Sequence, residues 1–258
     1  SDLLDYLDPF LLFDHFGSAD PDDYIAGFPM HPHRGIETVT YMLAGEVRHR
    51  DSIGHAGTIA AGDVQWMTAG RGILHEEMPQ LRGGRLDGFQ LWVNLPAKLK
   101  MSRPRYQEVA ARDIPVVTHA GGVQVRVIAG RVGTVSGAVR EIAADPEYLD
   151  VAMPARTAFT QPVARRHTAF AYLYEGEAGF GAGAGDGEPG TVIQGPRLVV
   201  FADGDEVRVA SGGQGARFLL ISGKPLNEPV VRYGQFVMNT RQEIEQTLRE
   251  LQDGSFIR

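Results

Sequence analysis

The chain of 258 residues contains no cysteine. Without thiols it has no disulfide framework, no thiolate metal site and no cysteine nucleophile. A chain of this length buries enough apolar surface to fold without covalent staples. The absence of cysteine is typical of a reducing compartment, and we expect a cytoplasmic protein.

Long apolar runs and excess positive charge are also lacking. No stretch of about 18 apolar residues occurs, so no membrane-spanning helix is predicted. Lys and Arg number 25 against 32 Asp and Glu, a formal net charge of −7. We therefore expect neither nucleic acid nor a membrane as a partner. The opening SDLLDYLDPFLLFDHF has no initiator methionine or basic leader, and we interpret it as an ordinary apolar segment rather than a signal peptide.

Turn residues, in contrast, are plentiful. The 32 glycines and 15 prolines separate short segments rich in β-branched and aromatic residues, at the spacing of an all-β sandwich or barrel. Strands are predicted within residues 37–43, 123–130, 168–176, 197–210 and 216–222.

One helix is predicted, over residues 240–254. Thr240 is a suitable N-cap, and Glu243 at the third helical position completes a capping box. The expected apolar stripe consists of Ile244, Leu248 and Leu251.

The two halves of the sequence resemble each other weakly. Residues 41–70 and 172–209 both read as strand, Gly-Glu turn, Gly-rich loop, strand, Gly-Asp turn and strand. Such a repeat predicts two β-barrels in tandem, which we place at residues 1–112 and 113–258. The Gly-rich residues 179–190 lack the spacing and lysine of a phosphate-binding loop and predict a surface hairpin loop.

Two short motifs point to a metal site. His31 and His33 are separated by one residue, and so are His75 and Glu77. Residues i and i+2 of a strand project from one face, so two neighbouring strands can present four ligands to one ion. Imidazoles and a carboxylate suit Fe(II), Mn(II), Ni(II), Cu(II) or Zn(II). Glu37 is an alternative carboxylate, and the residues alone do not choose between it and Glu77.

Longer motifs resemble the pirin family of the cupin superfamily. They are HPHRGIETVTYMLAGE from residue 31 and GDVQWMTAGRGILHEEMP from residue 62, with LDPFLLFD, FQLWVN, KPLNEPV and GQFVMNT elsewhere in the chain. The resemblance implies two tandem cupin (jelly-roll) β-barrels followed by a short C-terminal helix. It also implies iron, as Fe(II) or Fe(III), in the N-terminal barrel only, bound by His31, His33, His75 and Glu77. The C-terminal barrel is expected to lack a metal, because its His167 has no histidine partner.

Three further residues are candidates for the surroundings of the metal. Arg34 follows the second histidine and can hold a carboxylate, for which we suggest Asp14, or can form a plain surface salt bridge. Phe28 can line an apolar cavity beside the ion. Trp66 and Met67 can line it as well or belong to the core.

Two classes of function are compatible with the resemblance. One is a quercetin (flavonol) 2,3-dioxygenase, in which Glu77 removes a substrate proton and O₂ reacts to release carbon monoxide. The other is a non-catalytic, iron-dependent redox sensor that binds a regulatory protein partner. We favour the dioxygenase.

Overall fold

The computed structural model describes residues 7–80, 84–181 and 191–257. These residues form two compact units. The first contains the residues up to Ala111 together with those from Leu226 onward, and the second spans Arg112–Pro225.

Antiparallel β-strands make up most of both units. In chain order the strands are β1 (Phe10–Ser18), β2 (Phe28–His33), β3 (Ile36–Ala44), β4 (Glu46–Asp51), β5 (Ala56–Ala60), β6 (Val64–Thr68), β7 (Ile73–Pro79), β8 (Leu86–Asn94), β9 (Arg105–Val109), β10 (Val116–Thr118), β11 (Gln124–Ala129), β12 (Arg131–Val132), β13 (Val135–Ser136), β14 (Glu147–Met153), β15 (Ala158–Pro162), β16 (Thr168–Phe180), β17 (Val192–Gln194), β18 (Arg197–Val200), β19 (Glu206–Gly223), β20 (Val231–Tyr233) and β21 (Phe236–Met238). The α-helices are α1 (Pro21–Tyr24) and α2 (Arg241–Gln252).

The first unit is built from two facing sheets. One has the strand order β1-β8-β3-β6-β9, and the other has the order β2-β7-β4-β5. Side chains cross from one sheet to the other: the His33 ring on β2 lies 5.3 Å from the Trp92 ring on β8. The interior of this barrel is where the candidate ligands lie.

The second unit has one eight-stranded sheet, in which β16 and β19 each pair with several neighbours. The first part of β19 pairs with β15 and its last part with β14. Its interior is an apolar cluster that includes Val123, Val125, Leu149, Phe218 and Leu220, all fully buried. The two tandem cupin barrels predicted from the sequence are thus confirmed.

The predicted helix is present, with Thr240 as its N-cap and a capping box with Glu243. Its buried face differs from the expected stripe, because Leu251 is 38% exposed while Thr247 and Glu250 are buried. The predicted strands over 197–210 and 216–222 also differ, since β19 runs without interruption from 206 to 223. Most of the predicted hairpin loop at 179–190 lies outside the described residues.

The C-terminal segment belongs to the first unit, not to the second as predicted from the sequence. Its contacts explain this assignment. Val237 donates a backbone hydrogen bond to the Arg34 carbonyl, at 3.0 Å. The Lys100 ammonium donates to the Val237 carbonyl, at 2.9 Å. Within the described residues, no helix has the length and apolar character needed to span a membrane.

Candidate metal centre

Three histidines converge on neighbouring strands of the first unit. β2 and β7 pair antiparallel, with His31 directly opposite His75, and His33 lies two residues beyond His31 on the same strand. His33 and His75 are buried, at 3% and 1% exposure, and His31 is half-buried. One nitrogen from each of the three rings lies within 4.8 Å of the others. Among the residues described, this is the group of histidine and acidic side chains that could hold an ion.

The spacing of the ring nitrogens fits a shared ion. Nε2 of His31 and Nε2 of His33 are 3.1 Å apart. Two nitrogens that bind one ion at right angles, each at about 2.1 Å, lie roughly 3.0 Å from each other. Nδ1 of His31 donates a hydrogen bond to the Pro29 carbonyl, at 2.8 Å. This bond fixes the tautomer that leaves the Nε2 lone pair available.

Burial keeps the other two imidazoles neutral. Desolvation lowers the pKa of His33 well below its ordinary value, electrostatic repulsion between its protonated form and the protonated forms of His75 and His31 lowers it further, and a backbone hydrogen bond with Gln235 opposes the shift. Desolvation likewise lowers the pKa of His75 to about 4, although Glu77 opposes the shift. Both rings therefore present nitrogen lone pairs at neutral pH.

The hydrogen bonding of the buried imidazoles also fits a metal site. Both ring nitrogens of His75 are buried without a hydrogen-bond partner among the described residues. Such atoms cost stability unless something binds them. Three imidazoles that converge in this way fit a divalent transition metal.

Glu77 lies on the same strand face as His75, two residues farther along β7. Its side chain is buried. The Thr40 hydroxyl donates to Oε1 at 3.1 Å, and the Gln90 amide donates to Oε2 at 3.2 Å. Each carboxylate oxygen keeps a further lone pair. Glu77 is nevertheless not part of the compact group formed by the three histidines.

The alternative carboxylate, Glu37, has different surroundings. It accepts a hydrogen bond of 2.7 Å from the Thr68 hydroxyl. Glu37 and Thr40 are three residues apart on the regularly paired β3, so their side chains project from opposite faces. Because Thr40 contacts Glu77, the Thr40 face of β3 is directed toward Glu77. The Glu37 side chain lies on the opposite face of this strand.

Comparisons with known proteins agree with this geometry. A family model described as Pirin matches residues 1–93, and one described as Pirin C-terminal cupin domain matches residues 148–257. A pirin-like protein from Caulobacter vibrioides is 47% identical over 250 residues, which cover 96% of this chain and 87% of that protein. The chain belongs to the pirin family.

Solved structures extend this assignment. A crystal structure of quercetin 2,3-dioxygenase from Acinetobacter baumannii superposes with a TM-score of 0.87 at 37% identity, over 98% of this pirin and 88% of that chain. A bacterial pirin from Escherichia coli in complex with nickel(II) has a TM-score of 0.64 at 20% identity, over 85% and 84% of the two chains. At 20% identity, the similarity to the E. coli pirin shows that the two chains share a fold.

Arg34 of this pirin binds a different carboxylate from the one suggested by the sequence. Its Nη2 lies 2.7 Å from Oε2 of Glu250 on α2, and both side chains are buried. The guanidinium also donates to the Thr247 hydroxyl, at 3.0 Å, and to the Arg71 carbonyl, at 2.5 Å. The suggested pairing with Asp14 is wrong, because the C-terminal helix occupies this side of Arg34.

Asp14 and Phe28 instead line a small cavity beside Glu77, together with Thr40 and Gln90. Phe28 is 55% exposed, and its ring lies 6.4 Å from that of His31. Trp66 and Met67 are fully buried and are not among the residues that line this cavity.

Sequence reasoning did not identify Thr40 or Gln90 as partners of Glu77. The signal available was the presence of polar residues inside both apolar strands, TVTYML and FQLWVN. It also did not identify Glu250, whose sequence context is that of an ordinary charged helix.

Proposed function

We propose that this pirin is a metal-dependent dioxygenase that opens flavonols such as quercetin. The observation that carries the proposal is the convergence of three imidazoles, two of them buried, beside the hydrogen-bonded carboxylate of Glu77. The likeness to the A. baumannii quercetin 2,3-dioxygenase supports the choice of substrate class.

The proposed ligand set is His31, His33, His75 and Glu77, with iron as the expected metal. Mn, Ni, Cu and Zn suit the same nitrogen and oxygen donors. When bound, such an ion supplies Lewis acidity toward the flavonol oxygens and an open position for O₂ or substrate.

Glu77 is proposed to accept the proton of the flavonol 3-hydroxyl. A general base must be held within hydrogen-bond reach of the proton that it removes. The hydrogen bonds from Thr40 and Gln90 fix the orientation of the carboxylate. In the overall reaction one quercetin and one O₂ give one carbon monoxide and one ring-opened ester.

Access to the site depends on the side chains at its rim. The cavity beside Glu77 has a volume of about 30 Å³, which is room for about one water molecule. A flavonol therefore requires Phe28 and Asp14 to swing outward. Both side chains are exposed to solvent.

Aerobic turnover tests the proposal. Iron-loaded protein is mixed with quercetin, and loss of the flavonol absorption band, O₂ uptake and CO release are recorded together. Equal molar amounts of quercetin consumed, O₂ taken up and CO released are expected for the unmodified chain. The same result is expected for His167→Ala, which replaces a half-buried histidine of the second unit. His75→Ala should abolish all three. Oxidation of quercetin without CO would contradict the proposal.

A redox-sensing role is the second candidate, and the small cavity favours it. Ile25, Phe28 and Met30, which precede His31, expose 39%, 55% and 43% of their surfaces. An apolar rim of this kind suits a protein partner. Here the oxidation state of the metal would change the affinity for that regulatory partner. Absence of CO release, together with partner binding that differs between Fe(II) and Fe(III) protein, would support this role over catalysis.

A further inference from the structure

Trp92 contacts one proposed metal ligand directly and a second one through Gln90. Trp92 and Gln90 both lie on β8, and because they are two positions apart their side chains project from one face of the strand. The Trp92 ring meets the His33 ring edge-on, with the ring centres 5.3 Å apart. Nε1 of Trp92 donates a hydrogen bond to the Gln90 amide oxygen at 3.4 Å, and the Gln90 amide nitrogen donates to Oε2 of Glu77 at 3.2 Å. The indole, the amide and the carboxylate therefore form one chain of hydrogen bonds.

The direction of this chain is set at its Trp92 end. An indole N–H only donates, whereas an amide group can turn over and exchange its oxygen for its nitrogen. If the Gln90 amide turned over, its nitrogen would face the indole N–H and its oxygen would face the Glu77 carboxylate. Two donors would then meet at one end and two acceptors at the other, so both hydrogen bonds would be lost. Trp92 thus selects the orientation in which Gln90 offers a donor to Glu77.

Thr40 does not replace this selection. It lies directly opposite Gln90 in the pairing of β3 with β8, and its hydroxyl donates to the other carboxylate oxygen, Oε1 of Glu77, at 3.1 Å. A hydroxyl both donates and accepts and can rotate, so it adapts to the carboxylate and does not fix its orientation. Without the Gln90 donor, the Glu77 carboxylate would lose the hydrogen bond to Oε2 that restrains its rotation.

The C-terminal segment restrains the indole ring itself. Trp92 is only 5% exposed, and the Arg232 guanidinium carbon lies 4.9 Å from the centre of its ring. The guanidinium donates to the Gly234 carbonyl at 3.1 Å and to the Leu11 carbonyl at 3.4 Å. A cation held over an aromatic face is attracted to it. The direction of the indole N–H is therefore fixed independently of Gln90.

We infer that Trp92 is a positioning residue for the metal centre, whose indole N–H orients the Gln90 amide so that Gln90 holds the Glu77 carboxylate in place as a ligand. The inference rests on the ligand set given with the proposed function. Trp92 supplies no ligand atom, because an indole N–H is a donor only. Its effect on the metal passes through Gln90.

The hydrogen bond itself is tested by the indole N–H signals in a proton–nitrogen correlation NMR spectrum. The chain has two tryptophans, so the spectrum of Trp66→Phe assigns both signals. Gln90→Leu removes the acceptor, and the Trp92 indole proton should move upfield because a hydrogen bond deshields it. The Trp66 signal should stay in place. An unchanged Trp92 signal in Gln90→Leu would overturn the inference.

Nickel(II) affinity tests the effect on the metal centre. Nickel(II) suits the same nitrogen and oxygen donors, and competition with a chelator measures its dissociation constant. Trp92→Phe keeps an aromatic ring but loses the N–H, and it should weaken nickel(II) binding by about 10–100-fold. Gln90→Leu should weaken it to a similar extent. Trp66→Phe removes a buried indole whose N–H has no hydrogen-bond partner among the described residues, and it should leave the dissociation constant unchanged.

The variant that combines Trp92→Phe with Gln90→Leu separates positioning from packing. If Trp92 acts through Gln90, the combined variant should bind nickel(II) no more weakly than Gln90→Leu alone. Losses that multiply would show that Trp92 acts by packing against His33 and would overturn the inference. Unchanged affinity in Trp92→Phe, or an equal loss in Trp66→Phe, would overturn it as well.

A chemical variant keeps the shape of the tryptophan. Benzothienylalanine, incorporated in place of Trp92 in the Trp66→Phe chain, replaces the indole N–H with sulfur and fits the same space. It should weaken nickel(II) binding as much as Trp92→Phe does, and full affinity would contradict the inference even if Trp92→Phe fails to fold. None of these measurements uses quercetin or O₂, so a failure of the inference is distinguishable from a failure of the proposed dioxygenase activity. An unmodified chain that binds no nickel(II) would overturn the ligand set and the inference together.

Discussion

Replacing Glu250 with alanine should destabilise the first unit by about 3–5 kcal/mol, the usual cost of breaking a buried ion pair. The side chains of Arg34 and Glu250 are only 3% and 7% exposed, and their charged atoms are 2.7 Å apart. The guanidinium stays protonated at any accessible pH. Without Glu250 it still contacts the neutral oxygens of Thr247 and Arg71 and the ring of Phe256, and none of these groups replaces the lost negative charge.

A graded series separates charge from shape. Glu250→Gln keeps an oxygen acceptor of similar size and should cost about 1–3 kcal/mol, less than the alanine variant. Glu245 lies on the same helix but is exposed. Glu245→Ala should change stability by no more than about 0.5 kcal/mol.

Tryptophan fluorescence during urea unfolding measures this effect selectively. The chain has two tryptophans, Trp66 on β6 and Trp92 on β8, and both belong to the first unit. The midpoint should fall in the order unmodified chain, Glu250→Gln, Glu250→Ala. A loss in Glu250→Ala no larger than that in Glu245→Ala would refute the energetic role of the ion pair.

The same variants test whether the C-terminal helix positions a ligand. Arg34 directly follows His33, so release of its guanidinium should loosen the end of β2. Removal of a residue that orients a ligand typically lowers metal affinity by about 10–100-fold. Competition with a chelator measures this affinity. Loss of stability with unchanged metal affinity would show that Glu250 stabilises the fold without orienting His33.

Three further predictions concern individual side chains. His75→Ala should sharply lower the metal content measured by elemental analysis, while the far-UV circular dichroism of the folded chain is retained. Glu77→Gln should lower quercetin turnover more than metal content, and equal effects on both would argue against a base. Burial raises the pKa of Glu147 from its ordinary 4.5 to about 8, although Gln161 opposes the shift. The folded state therefore holds a proton that the unfolded state releases, so stability should fall as pH rises from 4.5 to about 8; Glu147→Gln should reduce this slope in urea titrations.

Local patterns in the sequence predicted local structure well. The capping box of Thr240 and Glu243 predicted where α2 begins, because both partners lie within one helical turn. The spacing of His31 and His33 predicted that both side chains share a face, because alternation along a strand needs no knowledge of the rest of the fold.

Long-range contacts explain what the sequence did not predict. Arg34 and Thr247 are 213 residues apart, and no pattern near either residue indicates the other. The same contact places the C-terminal segment in the first unit, although it follows the second barrel in the chain. Polar residues on α2 are buried because they bind Arg34, so an apolar stripe could not identify the buried face.

The interiors of the two barrels differ, and the difference predicts that a bound metal would stabilise the first unit. The second unit buries a continuous apolar cluster and gains its stability from that burial. The first unit buries His75 with both ring nitrogens lacking hydrogen-bond partners among the described residues, a cost that a bound ion would reduce. At a free metal concentration of 100 times the dissociation constant, binding should stabilise the first unit by about 2.7 kcal/mol.

Removing the metal with a chelator should therefore lower the urea midpoint seen by tryptophan fluorescence in the unmodified chain and leave it unchanged in His75→Ala. If the chelator does not change the urea midpoint of the unmodified chain, the three imidazoles do not bind an ion strongly enough to stabilise the fold.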